Sequence, residues 1–332
     1  MTPSFRFAPY EETYDVANVV VDGSPNPSTV LTLTHWPGID QPPGLSADLS
    51  AEMAFKYLDT PPAHPTAELV TNNHFDQDGL VGLHTLIQPD VSLRHRERLV
   101  DVAAAGDFAT YRFREAARTS MAIWSYAQPD RSPLGTRLDG RYQAACALLY
   151  DTVLPLLIPM LEDPDRFKDL WQQEDVQLTA SEQALVNGQV TIEEISELSL
   201  AIVNIETDQL GGGHRFASDT FDPIHPFAIN NATSCCRLLI IRGREYTFVD
   251  RYETWVQYRS RALPQRVDLD PLRSRLEARE TGTASWTASR PSTLVPVLRS
   301  SNKSSISATN VKVMLIEHLR SAPGAWNPFV YS

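Results

Sequence analysis

The sequence predicts an α/β protein, in which a parallel sheet flanked by helices is followed by a mixed α+β C-terminal part. Two observations support this class. β-Rich runs alternate with helical patterns near the N-terminus, which is typical of a parallel sheet with helices on its faces. After about Asp219 the pattern changes to a strand, a glycine turn and a second strand. We therefore expect domains at residues 1–210 and 219–332, with a boundary near residues 211–219.

The β-α-β-α rhythm is visible in four consecutive stretches. Residues 18–37, "NVVVDGSPNPSTVLTLTHWP", contain two β-rich runs separated by turn-forming residues. Residues 46–59, "SADLSAEMAFKYLD", have helical spacing of apolar residues. The segment "AELVTNNHFD" (67–76) is a predicted strand, and "DGLVGLHTLI" (78–87) enters a helix.

The middle of the chain is predicted to be mostly helical. Residues 92–108 lead to a helix or helix pair over 109–127, and residues 140–178 form further helix that is interrupted by prolines. A short apolar run at 198–206 has β character.

The C-terminal part is predicted to be mixed. The pattern indicates a strand before Gly243 and another from about Glu245. We predict helices over 266–280 and 310–322, and residues 285–310, rich in Ser, Thr and Pro, are expected to be loop-like.

Composition and charge favour a folded cytoplasmic protein. The chain has 332 residues, 42% of them apolar, and a formal charge of −12. The N-terminal stretch "MTPSFRFAPYEETYD" lacks the features of a signal peptide, and we expect no run of the ~20 apolar residues that would span a membrane. The negative charge disfavours duplex nucleic acid and anionic lipid as partners. The oligomeric state is left open, a homodimer included.

The three cysteines indicate reduced thiols. Cys235 and Cys236 are adjacent, Cys146 is separate, and the count is odd. No "C-x-x-C" occurs, which excludes a zinc ribbon. Cys235 and Cys236 lie in a predicted apolar strand, which is typical of inert core thiols.

The stretch "TNNHFDQDGLVGLHTL" (71–86) carries a candidate metal site. His74, Asp76 and Asp78 would share one face if the strand geometry continued through them. Carboxylate and imidazole ligands suit Mn²⁺, and carboxylates suit Mg²⁺. In open α/β sheets, ligands bind at the carboxyl ends of the strands. Gly79 would allow the turn into a helix whose N-terminus favours an anion.

A structural reading of the same stretch is an ordinary polar turn. In this reading Asp78 caps the helix, Asp76 forms a local turn and His74 is incidental.

The stretch "HFDQDGLVG" resembles the first motif of the DHH phosphoesterase superfamily. In that motif a strand is followed by His-x-Asp-x-Asp, in which Asp can replace the His, and then by a Gly or small residue and an apolar helix. His74, Asp76 and Asp78 match it position by position. The resemblance implies that they bind one or two ions, usually manganese. These ions would activate a water and stabilise charge on a phosphoryl group.

Two further segments extend this resemblance. The superfamily's second motif is an aspartate at the end of the next strand, for which Asp107 in "AAAGDF" is the preferred match and Asp101 the competitor. Many members also have a glycine-rich substrate-binding segment, and "LGGGHRFA" resembles it through Gly211, Gly212, Gly213 and His214. A flexible turn is the alternative reading of that segment.

The sequence departs from the superfamily at its naming motif, because the Asp-His-His triplet is absent. Three consequences remain open. Substitutes such as His225 and Asp222 bind the second ion, only one ion remains, or the site has decayed. The whole chain, including "THWPG" and "DRYETWVQYRSR", is also similar to an uncharacterised bacterial family, which implies no activity.

A further histidine and two arginines are also candidate site residues. His35 ends a predicted strand, as His74 does, so the two imidazoles would approach each other if the strands are neighbours; packing beside Trp36 is the alternative. The stretch "DRYETWVQYRSRALPQR" (250–266) combines arginines with aromatic residues and could bind an anionic substrate through Arg251 and Arg259. Surface ion pairs are the alternative for these arginines.

The function expected from these features is hydrolysis of a small phosphorylated molecule or short nucleotide by a metal-dependent phosphoesterase. Mn²⁺ or Mg²⁺ would be bound by His74, Asp76, Asp78 and Asp107, and His225 is a further candidate. The substrate would be held by Gly212, Gly213, His214, Arg251 and Arg259. The alternatives are a DHH-like fold without hydrolysis, serving as a ligand-binding or scaffold protein, and a metal enzyme of other chemistry.

Overall fold

The computed structural model describes residues 5–60, 67–207, 210 and 223–330 of the chain. The predicted α/β class is confirmed, because a parallel sheet and a mixed sheet are both accompanied by helices. The chain forms two compact units, Met1–Asp175 and Val176–Ser332. The division falls within the helix Lys168–Val186. The boundary expected at residues 211–219 lies outside the described residues.

The first unit contains a four-stranded parallel sheet. Its strands are β1 (Arg6–Phe7), β2 (Asn18–Val21), β3 (Thr29–Leu33) and β4 (Leu69–Thr71), in the order β1-β4-β2-β3. All four residues of β2 are buried, as expected for a central strand of β-branched residues covered on both faces. Because the strands are parallel, their carboxyl ends meet at one edge of the sheet.

The link between β2 and β3 is unusually short for a parallel pair. Val21 pairs with Leu33, yet the two strands are joined without a helix, whereas parallel neighbours usually need a crossover of about a dozen residues or more. Asn18 stabilises the link, since its side chain donates to the Asn26 side chain and accepts from the Thr29 hydroxyl, both over 3.0 Å. The loop therefore returns along the sheet, leaving the carboxyl end of β2 uncovered by a crossover helix.

Eight α-helices lie wholly or partly in the first unit among the described residues. They are α1 (Ser50–Asp59), α2 (Gln77–Ile87), α3 (Pro89–Arg94), α4 (Arg96–Asp107), α5 (Arg114–Ala127), α6 (Tyr142–Val153), α7 (Leu157–Glu162) and α8 (Lys168–Val186). Helix α2 is buried along nearly its whole length, because apolar residues surround it on all sides. It is the central helix of this unit, and it begins directly after the candidate metal turn.

One helical stretch, Tyr142–Glu162, is long and apolar enough to cross a membrane by length and composition, with a mean hydropathy of 1.8. This stretch differs from the expectation that the chain has no apolar run of this length. Pro155 and Pro159 lie within it, and Tyr150 is fully buried, with its hydroxyl donating to the carbonyl of His74 over 2.9 Å. These are the contacts of a core helix in a globular, non-membrane protein.

The second unit contains a six-stranded mixed sheet in the order β10-β11-β8-β7-β6-β5. Its strands are β5 (Val190–Ile195), β6 (Leu200–Ile205), β7 (Arg237–Arg242), β8 (Glu245–Asp250), β10 (Trp286–Ala288) and β11 (Val297–Ser300). Only β6 and β7 pair in parallel. A separate two-stranded pair joins β9 (Arg266–Val267) to β12 (Gly324–Trp326).

Helices cover both faces of this mixed sheet. One face packs against α10 (Asp270–Arg279) and α11 (Ala308–Ser321), in a core that includes Leu272 and Met314. The other face packs against α9 (Pro226–Ala232) and the end of α8, through residues such as Ile229 and Ala184. The mixed C-terminal part predicted from the sequence is thus present as a three-layer arrangement.

The structure predicted for one segment is wrong. Residues 285–310 were expected to be loop-like, but they contain β10 and β11. Leu298 is buried opposite Phe248 of β8, so cross-strand packing outweighs the local Ser, Thr and Pro content. Such short strands leave a weak pattern in the sequence.

Candidate metal centre

Three strand ends and two helix ends converge at the carboxyl edge of the parallel sheet. Asp22 follows β2, His35 lies two residues beyond β3, and the turn after β4 carries His74. Asp76 immediately precedes helix α2, and Asp78 lies in its first turn. These side chains form two overlapping groups with the spacing of metal ligands, and Asp22 belongs to both.

The expected extended geometry of the turn is wrong. Strand β4 ends at Thr71, Asp76 is the N-cap of α2, and its Oδ1 accepts a hydrogen bond from the amide of Gly79 over 2.9 Å. His74 and Asp76 nevertheless meet, while Asp78 turns away toward α1. The helix begins early because Asp76 is a good N-cap residue, and the change of backbone direction separates the three side chains into two groups.

The outer trio consists of Asp22, His74 and Asp76. Nε2 of His74 lies 2.9 Å from Oδ2 of Asp76 and 3.3 Å from Oδ2 of Asp22. The side chains of His74 and Asp76 are 18% and 28% exposed, so this trio has an open side. The ring of Trp36 lies 5.0 Å from the His74 ring, centroid to centroid.

The inner trio consists of Asp22, His35 and Asp78. Nε2 of His35 lies 3.4 Å from Oδ1 of Asp22 and 3.9 Å from Oδ2 of Asp78. All three side chains are at most 1% exposed. The inner trio is therefore closed to solvent, in contrast to the outer trio.

Asp107 also lies at the inner trio, at the C-terminal end of α4. Its Oδ2 is 3.4 Å from Nε2 of His35. The strand expected before Asp107 is a helix in the structure. The competitor Asp101 points elsewhere, because its carboxylate accepts hydrogen bonds from the amides of Arg112 and Phe113 and supports the start of α5.

Burial and mutual repulsion shift the pKa values of these groups. Burial raises the pKa of Asp22 well above its ordinary value, and the charges of Asp76 and Asp78 raise it further. Burial also raises the pKa of Asp78, despite the opposing effects of His35 and two backbone amides.

The His74–Asp76 pair behaves in the opposite way. Burial lowers the pKa of His74, but the carboxylates of Asp76 and Asp22 outweigh burial and hold that pKa well above its ordinary value. Burial raises the pKa of Asp76, but His74 and the amide of Gly79 outweigh it, so that pKa is lowered. Without a cation, burial and repulsion therefore disfavour a negative charge on Asp22, whereas His74 and Asp76 stabilise each other's charges.

The donor set of the cluster fits divalent cations. Within each trio, one potential ligand atom per residue lies within 4.8 Å of the others. Among the described residues, Nδ1 of His74 is buried and makes no hydrogen bond. Buried polar atoms are rarely left so, and mixed carboxylate and imidazole ligands are those that Mn²⁺ accepts.

The remaining predicted site residues belong to the second unit or lie outside the described residues. His225 is buried in the second unit, where its Nδ1 accepts from the amide of Phe227 at the start of α9. Arg251 is buried in an ion pair with Glu253, at 2.5 Å. Arg259 is exposed and lies over the Phe329 ring, 4.7 Å from its centroid. Five other candidate residues lie outside the described residues: Gly211, Gly212, Gly213, His214 and Asp222.

One candidate ligand of the cluster, Asp22, is missing from the residues predicted from the sequence. It directly follows the buried run Val19–Val21, at the end of its strand. His35 was considered, but its strand is separated from β4 by β2. Asp22 fills that gap and lies between the two histidines. The signal that could have found it is a carboxylate directly after a β-branched run.

The fold and the site define an α/β protein with a buried histidine–aspartate cluster at the carboxyl edge of a parallel sheet. Residues 3–329 match a family described as a family of unknown function, DUF6687, and the chain belongs to that family. Comparisons with curated proteins and with solved structures found no match.

Proposed function

We propose that this protein is a metal-dependent phosphoesterase that acts on a small phosphorylated molecule or a short nucleotide. In this proposal the outer and inner trios each bind one divalent cation, Mn²⁺ or Mg²⁺, and Asp22 is a ligand of both. The observation that carries the proposal is the overlap of the two trios at a single buried carboxylate.

Charge balance supports two cations rather than one. Asp22, Asp76, Asp78 and Asp107 would bring four negative charges into a largely buried volume, where an unbalanced charge is strongly unfavourable. Two divalent cations would neutralise them. One cation would leave two charges to be removed by protonation.

The different exposure of the two trios suggests that their two ions would have different roles. The inner ion would be enclosed, whereas the outer ion would face the open side at His74 and Asp76, where a phosphate can approach. Two such ions neutralise a phosphoryl group and activate a water for in-line attack. The residues of the two trios would hold the ions, with Asp22 common to both, and the burial of the inner trio would exclude bulk water from the inner ion.

An assay of phosphate ester hydrolysis tests this proposal. We expect Mn²⁺-dependent hydrolysis of p-nitrophenyl phosphate, bis-p-nitrophenyl phosphate or a short oligonucleotide. Asp76→Asn should lower the rate by at least about a hundredfold, because it removes an outer ligand that faces the substrate. The control Asp151→Asn, at an exposed position of α6, should leave the rate unchanged. The proposal fails if no substrate is hydrolysed with Mn²⁺, or if Asp76→Asn retains full activity.

A second candidate function is a metal- or ligand-binding protein without hydrolysis. The bonding of Asp78 favours it, because the carboxylate accepts hydrogen bonds from the amides of Ser50 and Ala51 over 2.7 and 2.8 Å. Asp78 thereby supports the N-terminus of α1, which is a structural role that needs no metal ion. Stoichiometric metal binding without turnover of any phosphate ester would favour this candidate, or a metal enzyme of other chemistry.

A further inference from the structure

The turn that carries His74 is closed by a ring of hydrogen bonds. The Tyr150 hydroxyl donates to the His74 carbonyl over 2.9 Å, and the Asn72 side-chain amide donates to the Tyr150 oxygen over 3.0 Å. The side-chain oxygen of the same residue, Oδ1 of Asn72, accepts from the His74 amide over 3.3 Å, which completes the ring. Both polar groups of the His74 backbone are thus held, and this fixes the direction of its side chain.

The ring is tightly packed against the start of α2. A Cβ added at Gly79 would lie 2.3 Å from Nδ2 of Asn72 and 2.7 Å from the Tyr150 hydroxyl. A real Cβ does not approach another heavy atom this closely. Glycine at this position lets Asn72 and Tyr150 reach the turn.

Helix α6 contributes a second contact to the same turn. Nε2 of Gln143 donates to the carbonyl of Asn73 over 2.8 Å. Gln143 and Tyr150 are seven residues apart, so they lie on one face of α6, two turns from each other. The Tyr150 ring packs against Phe75 and Phe7, with centroids 5.0 and 5.1 Å away. One face of one helix therefore holds two successive carbonyls of the turn.

The inner trio is supported by a different element. Nδ1 of His35 lies 2.5 Å from the carbonyl of Asp48. The Ser50 hydroxyl donates to Oδ1 of Asp22 over 2.8 Å, and the amides of Ser50 and Ala51 donate to Asp78. All these partners lie at or just before the N-terminus of α1. His74 of the outer trio is thus held by α6, whereas His35 and Asp78 of the inner trio are held by the start of α1 and the residue Asp48 before it.

We propose that helix α6 positions the outer metal site, and that Tyr150 and Gln143 are positioning residues which set its affinity without affecting the inner site. This proposal rests on the metal binding that the proposed function assumes, but not on hydrolysis. Residues that orient metal ligands through hydrogen bonds typically change metal affinity by about 10- to 100-fold when replaced.

The test is a calorimetric titration of the metal-free full chain with Mn²⁺. His74→Ala and His35→Ala identify which binding step belongs to the outer trio and which to the inner. Tyr150→Phe keeps the aromatic packing and removes only the hydroxyl. We expect it to weaken the outer step by about 10- to 100-fold and to leave the inner step within about twofold. Gln143→Leu is a second variant at a partly exposed position and should weaken the outer step in the same direction.

The control is Tyr126→Phe, which removes the hydroxyl of a largely buried tyrosine from α5 of the same unit. It should change neither step. The positioning role is overturned if Tyr150→Phe and Gln143→Leu weaken both steps equally, which indicates general destabilisation, or if neither step changes. Absence of any Mn²⁺ binding in the wild type would overturn the proposed function as well, and this separates the two failures.

Discussion

Asp22 belongs to both trios, and its backbone conformation at this position is energetically unfavourable. Its φ is 58°, in the left-handed region, which costs a residue with a Cβ about 1–2 kcal/mol. Glycine would avoid this cost but would provide no carboxylate. Aspartate tolerates the conformation better than most residues, and here it directs a carboxylate between two histidines.

The Asp22→Asn variant should stabilise the metal-free protein. The raised pKa of Asp22 means that its ionised form is less favourable in the folded chain than in the unfolded chain. At a pH above the pKa that Asp22 has in the unfolded chain, ionisation of this carboxyl therefore lowers the free energy of unfolding, and asparagine removes this loss. The Ser50 hydroxyl can still donate to the amide oxygen of the new side chain. We expect the unfolding free energy at pH 7 to rise by about 1 kcal/mol.

Thermal or urea unfolding in the presence of EDTA measures this effect. Asp151→Asn, at an exposed carboxylate, should change the unfolding free energy by less than about 0.5 kcal/mol. A marked destabilisation of metal-free Asp22→Asn would show that the carboxylate has a structural role instead of a ligand role.

The sequence predicted several site residues but not their arrangement. His74, Asp76 and Asp78 were recognisable because a motif places them after an apolar run, and Asp107 was preferred over Asp101 by the same resemblance. The β-branched run before Asp22 indicates a carboxylate at a strand end, but its place between the two histidines depends on β2 lying between β3 and β4. Strand order is set by tertiary packing, and local sequence does not specify it.

At the scale of elements, long periodic segments were predictable and short ones were not. Helices α1, α2 and α11 follow from their apolar spacing and end signals, and the Gly243 turn between β7 and β8 follows from its sequence. The strands β10 and β11 depend on β8 for their pairing.

Helix α2 also contains a buried histidine with a predictable effect on stability. Burial lowers the pKa of His84 to about 4, and the nearby His95 contributes in the same direction. Nδ1 of His84 lies 2.9 Å from the Ser92 hydroxyl. The folded chain keeps this imidazole neutral, whereas the unfolded chain protonates it near pH 6.5. Protons therefore bind preferentially to the unfolded state below that pH.

The stabilising effect of a neutral His84 should be full above pH 6.5 and should be lost as the pH falls toward about 4. Over this interval the wild type should lose about 3 kcal/mol of unfolding free energy relative to His84→Gln, which has no titrating group. Urea unfolding of both proteins at pH 7, 6, 5 and 4.5 measures the difference. Parallel curves for the two proteins would contradict the assignment.

At the scale of the whole molecule, the formal charge of −12 must be reconciled with the anionic substrate that we propose. The overall field repels a phosphate, and Arg251, one of the predicted substrate residues, is paired with Glu253 in the second unit. Two divalent cations at the strand ends would supply the missing local positive charge. Metal and substrate binding are therefore linked in this account, and the affinity for inorganic phosphate should depend on Mn²⁺.

The most direct test of the metal centre is its stoichiometry. The protein is loaded with Mn²⁺, freed of excess metal by gel filtration and measured by elemental analysis, alongside His35→Ala, His74→Ala and Asp22→Asn. We predict about two ions per chain in the wild type, about one in each histidine variant and fewer than one in Asp22→Asn, because Asp22 is shared by both trios. A wild type without bound metal, or an Asp22→Asn variant that retains both ions, would contradict the shared-ligand centre.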